Sequence, residues 1–249
     1  LAFNDHHEDK GSGLSTHHAD SLIPAKLPAM GTYYLYLGDA QQKGGPDYAY
    51  RLRISSPLPD FDLRIAPSGI NVAGGMSVPI TVYALRKDGF SGDIALALKG
   101  APSGFSLSGG LLPAGQDKVR LTLMVPLQPL REPLSLNLEG RAMINGKEIV
   151  RLAVPAEDMT QAFAYHHLVP AKELSVVVPR RSVFRIPPKI LGEQPVKIPA
   201  GGEVRIQVQI QLPQNSPLDR IQFELSDPPE GIELRDASPV QGGTEIVLR

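Results

Sequence analysis

The chain has 249 residues with 25 basic and 26 acidic side chains, a formal net charge of −1 and a pI near 6.7, so it lacks the electrostatic footprint of a nucleic-acid binder and implies no strongly basic partner. Cysteine is absent, which excludes disulfides, thiolate chemistry and a Cys-ligated zinc site. With 24 glycines, 24 prolines and 42% hydrophobic residues, and with no window that sustains apolar positions at three-and-four spacing, the composition predicts an all-β chain of short strands and many turns, organised as tandem β-sandwich domains.

No apolar run approaches the ~20 residues of a membrane span, and no leader pattern is present at the first residues. The segment Leu1 to Met30 carries NDHHED at Asn4 to Asp9, THHADS at Thr16 to Ser21 and the apolar run LIPAKLPAM. Next, Tyr33, Leu35 and Leu37 alternate with Tyr34 and Tyr36, and Tyr48, Tyr50, Leu52 and Ile54 alternate with Ala49, Arg51 and Arg53. This period-2 pattern predicts two half-buried strands, joined by the polar loop Gln41 to Asp47. The order Asn4, Asp5, Asp20, Ser21, Leu27, Pro28, Gly31, Thr32, Tyr33, Tyr34 and a strand ending at Ile54 resembles the second half of the bacterial pre-peptidase C-terminal domain. That is a β-sandwich module, partly jelly-roll-like, appended to secreted peptidases and other exported proteins. The resemblance covers residues 1–56 and implies a chain that begins inside a domain. It also implies an extracellular or cell-surface location, and a role in secretion, attachment or stability of a neighbouring catalytic domain.

The linker SSPLPD, Ser55 to Asp60, favours extended backbone and a domain boundary. After it, strands are expected at FDLRIA, SVPITVYA, DIALAL, KVRLTLMV, LSLNLEG and EIVRLAV, with Asn145-Gly146 as a two-residue hairpin turn. An internal repeat then appears. Ala73, Gly74 and Gly75 before SVPITV recur as Ala200, Gly201 and Gly202 before EVRIQV, and PSGFSL at Pro102 to Leu107 recurs as PEGIEL at Pro229 to Leu234. The glycines of each copy are separated by the same 29 residues, and Leu107 to Leu121 matches Leu234 to Leu248. One fold used twice is expected, with Gly104 equivalent to Gly231 and Leu121 to Leu248. Residues 61–157 should form a complete immunoglobulin-like sandwich, and residues 172–249 a second copy that lacks its last hairpin. The bridge from Val154 to Leu174 fits either a helical turn at Met159, Ala162 and Phe163 or an extended strand, which its aromatic content and flanking prolines favour.

All six histidines occur as adjacent pairs, His6 and His7, His17 and His18, His166 and His167, so in a strand one member at most can face a shared site. Two readings stand for the N-terminal group. In the first, Asp5, Asp9 and Asp20, with Asn4, hold a calcium ion through hard oxygen donors, or His6 and His18 join carboxylates around a softer metal. In the second, Asn4 and Asp5 form a capped turn, Asp20 and Ser21 cap a strand and the histidines are solvated.

Motifs for catalysis are absent: His7-Glu8 is followed by Asp9, Lys10 and Gly11 rather than the zinc-protease spacing, and neither a nucleophile elbow nor a phosphate or dinucleotide glycine loop occurs. No enzyme is expected. The leading expectation is a non-catalytic accessory and interaction region whose partners are other domains of a longer polypeptide, an extracellular protein or a polysaccharide. Its rivals are a carbohydrate- or polymer-binding sandwich that uses the Tyr-rich strands, and a metal-dependent hydrolase built on the N-terminal His and Asp residues.

Overall fold

A computed structural model describes residues 2–5, 21–39, 41–161, 165–179, 189–192, 196–209, 223–225, 228, 231–240 and 243–249. Among these residues there is no helix, and the fifteen strands are β1 (Asp60–Ala66), β2 (Gly69–Asn71), β3 (Ser77–Lys87), β4 (Ile94–Lys99), β5 (Ser106–Ser108), β6 (Leu111–Leu112), β7 (Lys118–Met124), β8 (Leu134–Ile144), β9 (Lys147–Gln161), β10 (Tyr165–Pro170), β11 (Leu174–Val177), β12 (Lys189–Leu191), β13 (Val204–Gln209), β14 (Leu234–Val240) and β15 (Gly243–Leu248). The chain is all-β.

In β1, Phe61, Leu63 and Ile65 are buried while Asp60, Asp62 and Arg64 are half-exposed, and Ile80, Val82 and Ala84 repeat the alternation in β3. The period of two therefore sets the inward face of each strand, and pairing follows from it. One layer runs β1-β3-β7-β5, and facing it β8 is flanked by β4 on one edge and by β9 and β11 on the other. The two layers are joined by β9, which pairs antiparallel with β8 through residues 147–152 and then parallel with β1 at Ala153, Val154 and Pro155. The hairpin that launches β9 has Asn145 at φ 50° and Gly146 at φ 75°, both in the left-handed region that the Asn-Gly pair tolerates.

Beyond Pro155 the strand continues to Gln161 and is met by β10, so the described residues of the bridge, Met159 among them, are extended, with Val169 opposite Glu157, while Ala162 and Phe163 lie outside the described residues. The chain then returns as β11, which fills the edge of β8 that β9 has vacated: Leu174 pairs with Leu136 and Val176 with Leu134, while the other edge of β11 takes β2 in parallel. Leu174, Val176 and Val178 are buried in the same core as Phe61, Leu63, Ile80, Leu121, Leu123 and Leu138. That core thus runs on to Val178, whereas the sequence spacing assigns residues from 172 onward to the second copy. Burying Leu174 and Val176 of β11, and Val178 just beyond it, is worth about 1.5–3 kcal/mol each, enough to bind this strand to the first sandwich.

A second sheet, β12-β13-β15-β14, is antiparallel throughout and reproduces the order β1-β3-β7-β5. Its core comprises Val208, Ile246 and Leu248 with Ile198, Val204, Ile206, Phe223, Leu225, Leu234 and Ala237 packed around them. The repeated motifs fall on corresponding strands, but the register differs from the one-to-one match of the sequence. Met76 N–H donates to Ala73 O and Gly202 N–H to Pro199 O, and the left-handed glycines are Gly75 (φ 75°) and Gly201 (φ 68°), so Gly75 corresponds to Gly201. Leu107 pairs with Leu123, and Leu234 with Leu248. Gly104 and Gly231, both left-handed and three residues before these leucines, correspond as expected, but the equivalent of Leu248 is Leu123 rather than Leu121. A slip of two keeps the inward parity of a strand, which is why the hydrophobic pattern alone could not detect it.

Before Asp60 the outcome differs from expectation. Residues 31–37 and 48–54 carry the alternation of strands but form no ladder, and Tyr34 and Tyr36 are each 95% exposed. Two isolated strands are marginal in water without a packed face, and among the described residues no second layer covers this pair.

Candidate functional site

The N-terminal segment is held to the first sandwich by one turn. Asp88 sits at φ 47° between β3 and Gly89; its Oδ2 accepts from the Leu58 backbone N–H at 2.9 Å and from Arg53 Nη2 at 3.2 Å, and Arg53 Nε donates to Ser55 Oγ at 3.3 Å. The linker that its prolines keep extended is thereby latched onto the sandwich. At its end, Asp60 Oδ2 accepts from Arg151 Nη2 at 2.8 Å and Oδ1 from Phe61 N–H at 2.8 Å. Burial raises the Asp60 pKa, but the Arg151 hydrogen bond, the Phe61 N–H and the charges of Arg151 and Lys87 together outweigh it and hold the carboxyl below its usual value. The stability this carboxylate contributes is present above its unfolded pKa and is lost as pH falls through its lowered folded pKa. A depression of about 310 Å³ opens beside the pair, with Leu58, Pro59, Ile144 and Ile149 as apolar wall and Lys147 at its side.

The latch gives a direct test. Asp88→Gly keeps a residue suited to positive φ and removes only the acceptor of the Leu58 and Arg53 bonds, and losing these two exposed charge-assisted bonds should open the linker at least about tenfold more often. Limited trypsin digestion should then cut at Arg53 about tenfold faster, with the melting of the sandwich little changed; an unaltered cutting rate would show that the latch holds nothing.

Of the residues singled out for metal, Asp5 is described and exposed, while His6, Asp9, His18 and Asp20 lie outside the described residues. Asn4 Oδ1 accepts from Leu22 N–H at 3.1 Å, which brings the two ends of the intervening segment together. Among the described residues no three His, Asp or Glu side chains gather in a metal-holding group. The polar loop is where the sequence places it: Asp39 Oδ2 accepts from Gln41 N–H at 2.9 Å and Lys43 N–H at 3.0 Å, an Asx turn. On the β9-β10 ribbon, His167 is half-buried opposite Met159; its neighbours Glu157 and Asp158 are engaged elsewhere, Glu157 by Ser68 N–H and Oγ, Asp158 by the Tyr83 hydroxyl at 3.4 Å. Partial burial and the Asp158 charge raise the Tyr83 pKa. Sequence reading missed Asp88, Asp60 and Arg151 because their partners lie 30 to 91 residues away.

No family model matches the chain, and no curated protein matches it. Solved structures similar to it include two fragments of the surface layer protein SbsC. Domains 4–9 share 14% identity at a TM-score of 0.31 over 77% of this chain and 27% of that one; domains 1–6 share 13% at 0.28 over 78% and 22%. The chain spans about a quarter of the length of these structures.

Proposed function

We propose that the chain is a non-catalytic extracellular accessory and interaction region of a larger exported or cell-surface protein, in keeping with the resemblance of residues 1–56 to a pre-peptidase C-terminal module and its link to secreted peptidases. The observation that carries this reading is the repetition of one sheet order, β1-β3-β7-β5 and β12-β13-β15-β14, within a single chain whose linker is latched to the first sandwich. A repeated sheet order, with the preceding linker latched to the first sandwich, suits a chain that spaces other domains of a longer polypeptide. An immunoglobulin-like assignment is supported by the same order facing β4, β8 and β9. Protease treatment of intact producing cells should release fragments of this chain while cytosolic markers stay protected. Retention of the intact chain inside washed cells would overturn the reading.

A second reading, polymer binding, is favoured by the exposed rings of Tyr34, Tyr36 and Tyr50. A row of bare tyrosines offers stacking faces to sugar rings. Affinity electrophoresis in polysaccharide gels should show retardation that Tyr34→Ala with Tyr36→Ala abolishes; equal mobility with and without polysaccharide removes this reading.

Calcium at Asp5, Asp9 and Asp20 is likewise a proposal, supported by the closure of the segment's ends through Asn4 and Leu22. Binding would add about 2.7 kcal/mol at a hundredfold excess over Kd. Melting in calcium should then exceed melting in chelator, and Asp20→Ala should abolish the difference; equal curves with no heat of binding leave these residues as capped turns.

A further inference from the structure

The depression beside Asp60 and Arg151 originates in the path of β9. That strand pairs with β8 up to Leu152 and joins β1 only from Ala153, opposite Leu63, so ahead of this point β1 and β9 share no ladder and their facing edges stand open. The Arg151–Asp60 bond of 2.8 Å spans the opening. The cavity left there measures about 310 Å³, at the lower end of the ~300–1,000 Å³ of small-molecule pockets. Its walls are apolar and held in place. Ile144 is buried and Ile149 packs against the core, while Leu58 and Pro59 are supplied by the linker. Because Asp88 fixes the Leu58 backbone N–H, a leucine that is 59% exposed is kept lining the cavity.

The charges lining the cavity do not cancel. Asp60 and Arg151 neutralise each other, whereas Lys147 is exposed and has no ion-pair partner among the described residues. Lys147, Ile149 and Arg151 alternate along β9 and so share one side of it, which places the spare cation beside the apolar wall. The neighbouring charges, Lys87 and Asp62, form a balanced pair of their own. One positive charge is thus left over, and it selects a ligand with a single negative charge over a neutral or cationic one.

We propose that this cavity binds an apolar carboxylate, the C-terminal residue of a peptide or a free acid, with the apolar group between Leu58 and Ile149 and the carboxylate on Lys147. A charge-assisted hydrogen bond from the ammonium fixes the acid end, and the apolar walls bury the rest. A ligand so placed touches both the linker and the sandwich. Its binding therefore favours the closed linker, and by linkage the open population falls about tenfold at a tenfold excess of ligand over Kd.

The test is two-dimensional NMR of the full chain titrated to millimolar concentration with N-acetyl-leucyl-leucine, its C-terminal amide and hexanoate. The acids should shift the backbone signals of Leu58, Ile149 and Arg151, and the amide should bind at least tenfold more weakly. Lys147→Met keeps the apolar stem and should weaken the acids at least tenfold while leaving the amide unchanged; Lys147→Arg should retain them, as should the control Lys118→Met on β7. Lys147 is exposed, so these variants should fold, which circular dichroism checks. Trypsin cutting at Arg53 should slow about tenfold when the acid is in tenfold excess over Kd. Binding of either acid supports the site, and the tighter one names the source: the peptide if its amides meet the open edge of β9, hexanoate if they do not. The proposal is overturned if neither acid shifts these signals, if the amide binds as tightly as the acid, or if acid binding survives Lys147→Met. It is equally overturned if bound acid leaves cutting at Arg53 unaltered, since the ligand would then not touch the linker.

Discussion

Gly140→Val should destabilise the first sandwich by about 3 kcal/mol, the upper end of the cost of overpacking a filled core. Gly140 lies in the middle of β8 and points inward, and a Cβ there would stand 2.5 Å from Leu63 Cδ1, 2.8 Å from Ile94 Cγ2 and 3.3 Å from Leu96 Cδ2. Those atoms belong to two strands, β1 of one layer and β4 of the other, and Leu63 and Ile94 are fully buried, so none can withdraw without displacing another core side chain. Gly140→Ala should cost less, because only the Cβ must be accommodated and the unfolded chain loses some entropy. Urea denaturation followed at equilibrium should show the Val midpoint well below the Ala midpoint, with the slope unchanged. Equal midpoints for wild type and Val would mean that the layers are not in contact at this position.

Arg86→Met should cost a similar amount, roughly 3 kcal/mol, for a different reason. At the end of β3 the guanidinium donates to three backbone carbonyls, Gly92 O at 2.7 Å, Pro113 O at 3.0 Å and Gln116 O at 3.0 Å, and lies 5.2 Å from the centroid of the Phe90 ring. Its side chain is only 10% exposed. The loops it joins are otherwise tied by Ala114 N–H to Asp93 Oδ1 at 2.6 Å and Gly115 N–H to Ser91 O at 2.9 Å. Hydrogen bonds from a charged donor contribute about 1.5–3 kcal/mol each before neighbouring water recovers part of the loss, and the ring contact adds on the order of 1 kcal/mol. Methionine keeps the apolar stem and removes the fork. Arg86→Lys should recover little, since one ammonium cannot reach three carbonyls spread around a planar group. Chemical denaturation of the Met, Lys and wild-type proteins checks the order. A Lys variant as stable as the wild type would show that charge, not the fork, matters here.

These two residues also mark the limit of what could be read without coordinates. In the sequence Gly140 is one of 24 glycines, and its neighbours Leu63, Ile94 and Leu96 are distant in the chain. Arg86 reads there as an ordinary strand-end cation. The latch at Asp88 is of the same kind: Asp88-Gly89 announces a turn, but the Leu58 N–H and the Arg53 guanidinium that it holds are 30 and 35 residues earlier.

The sequence by itself determined the class of the fold and most strand positions from β1 to β9, because alternation with a period of two is a local property, and it determined the β8-β9 turn, because Asn145 and Gly146 both tolerate positive φ. It also determined that one sheet is used twice, since the same two turn motifs recur in the same order before like strands, although the equivalent glycines, Gly75 to Gly104 and Gly201 to Gly231, are 29 and 30 residues apart. Tertiary structure alone decided the register of the second copy, where Leu248 matches Leu123, and the membership of β11, which joins the first core because β9 leaves half of β8 unpaired. It decided the fate of residues 31–54 as well, for alternation supplies a face but not the layer that would bury it, and a strand forms only where a partner completes its hydrogen bonds.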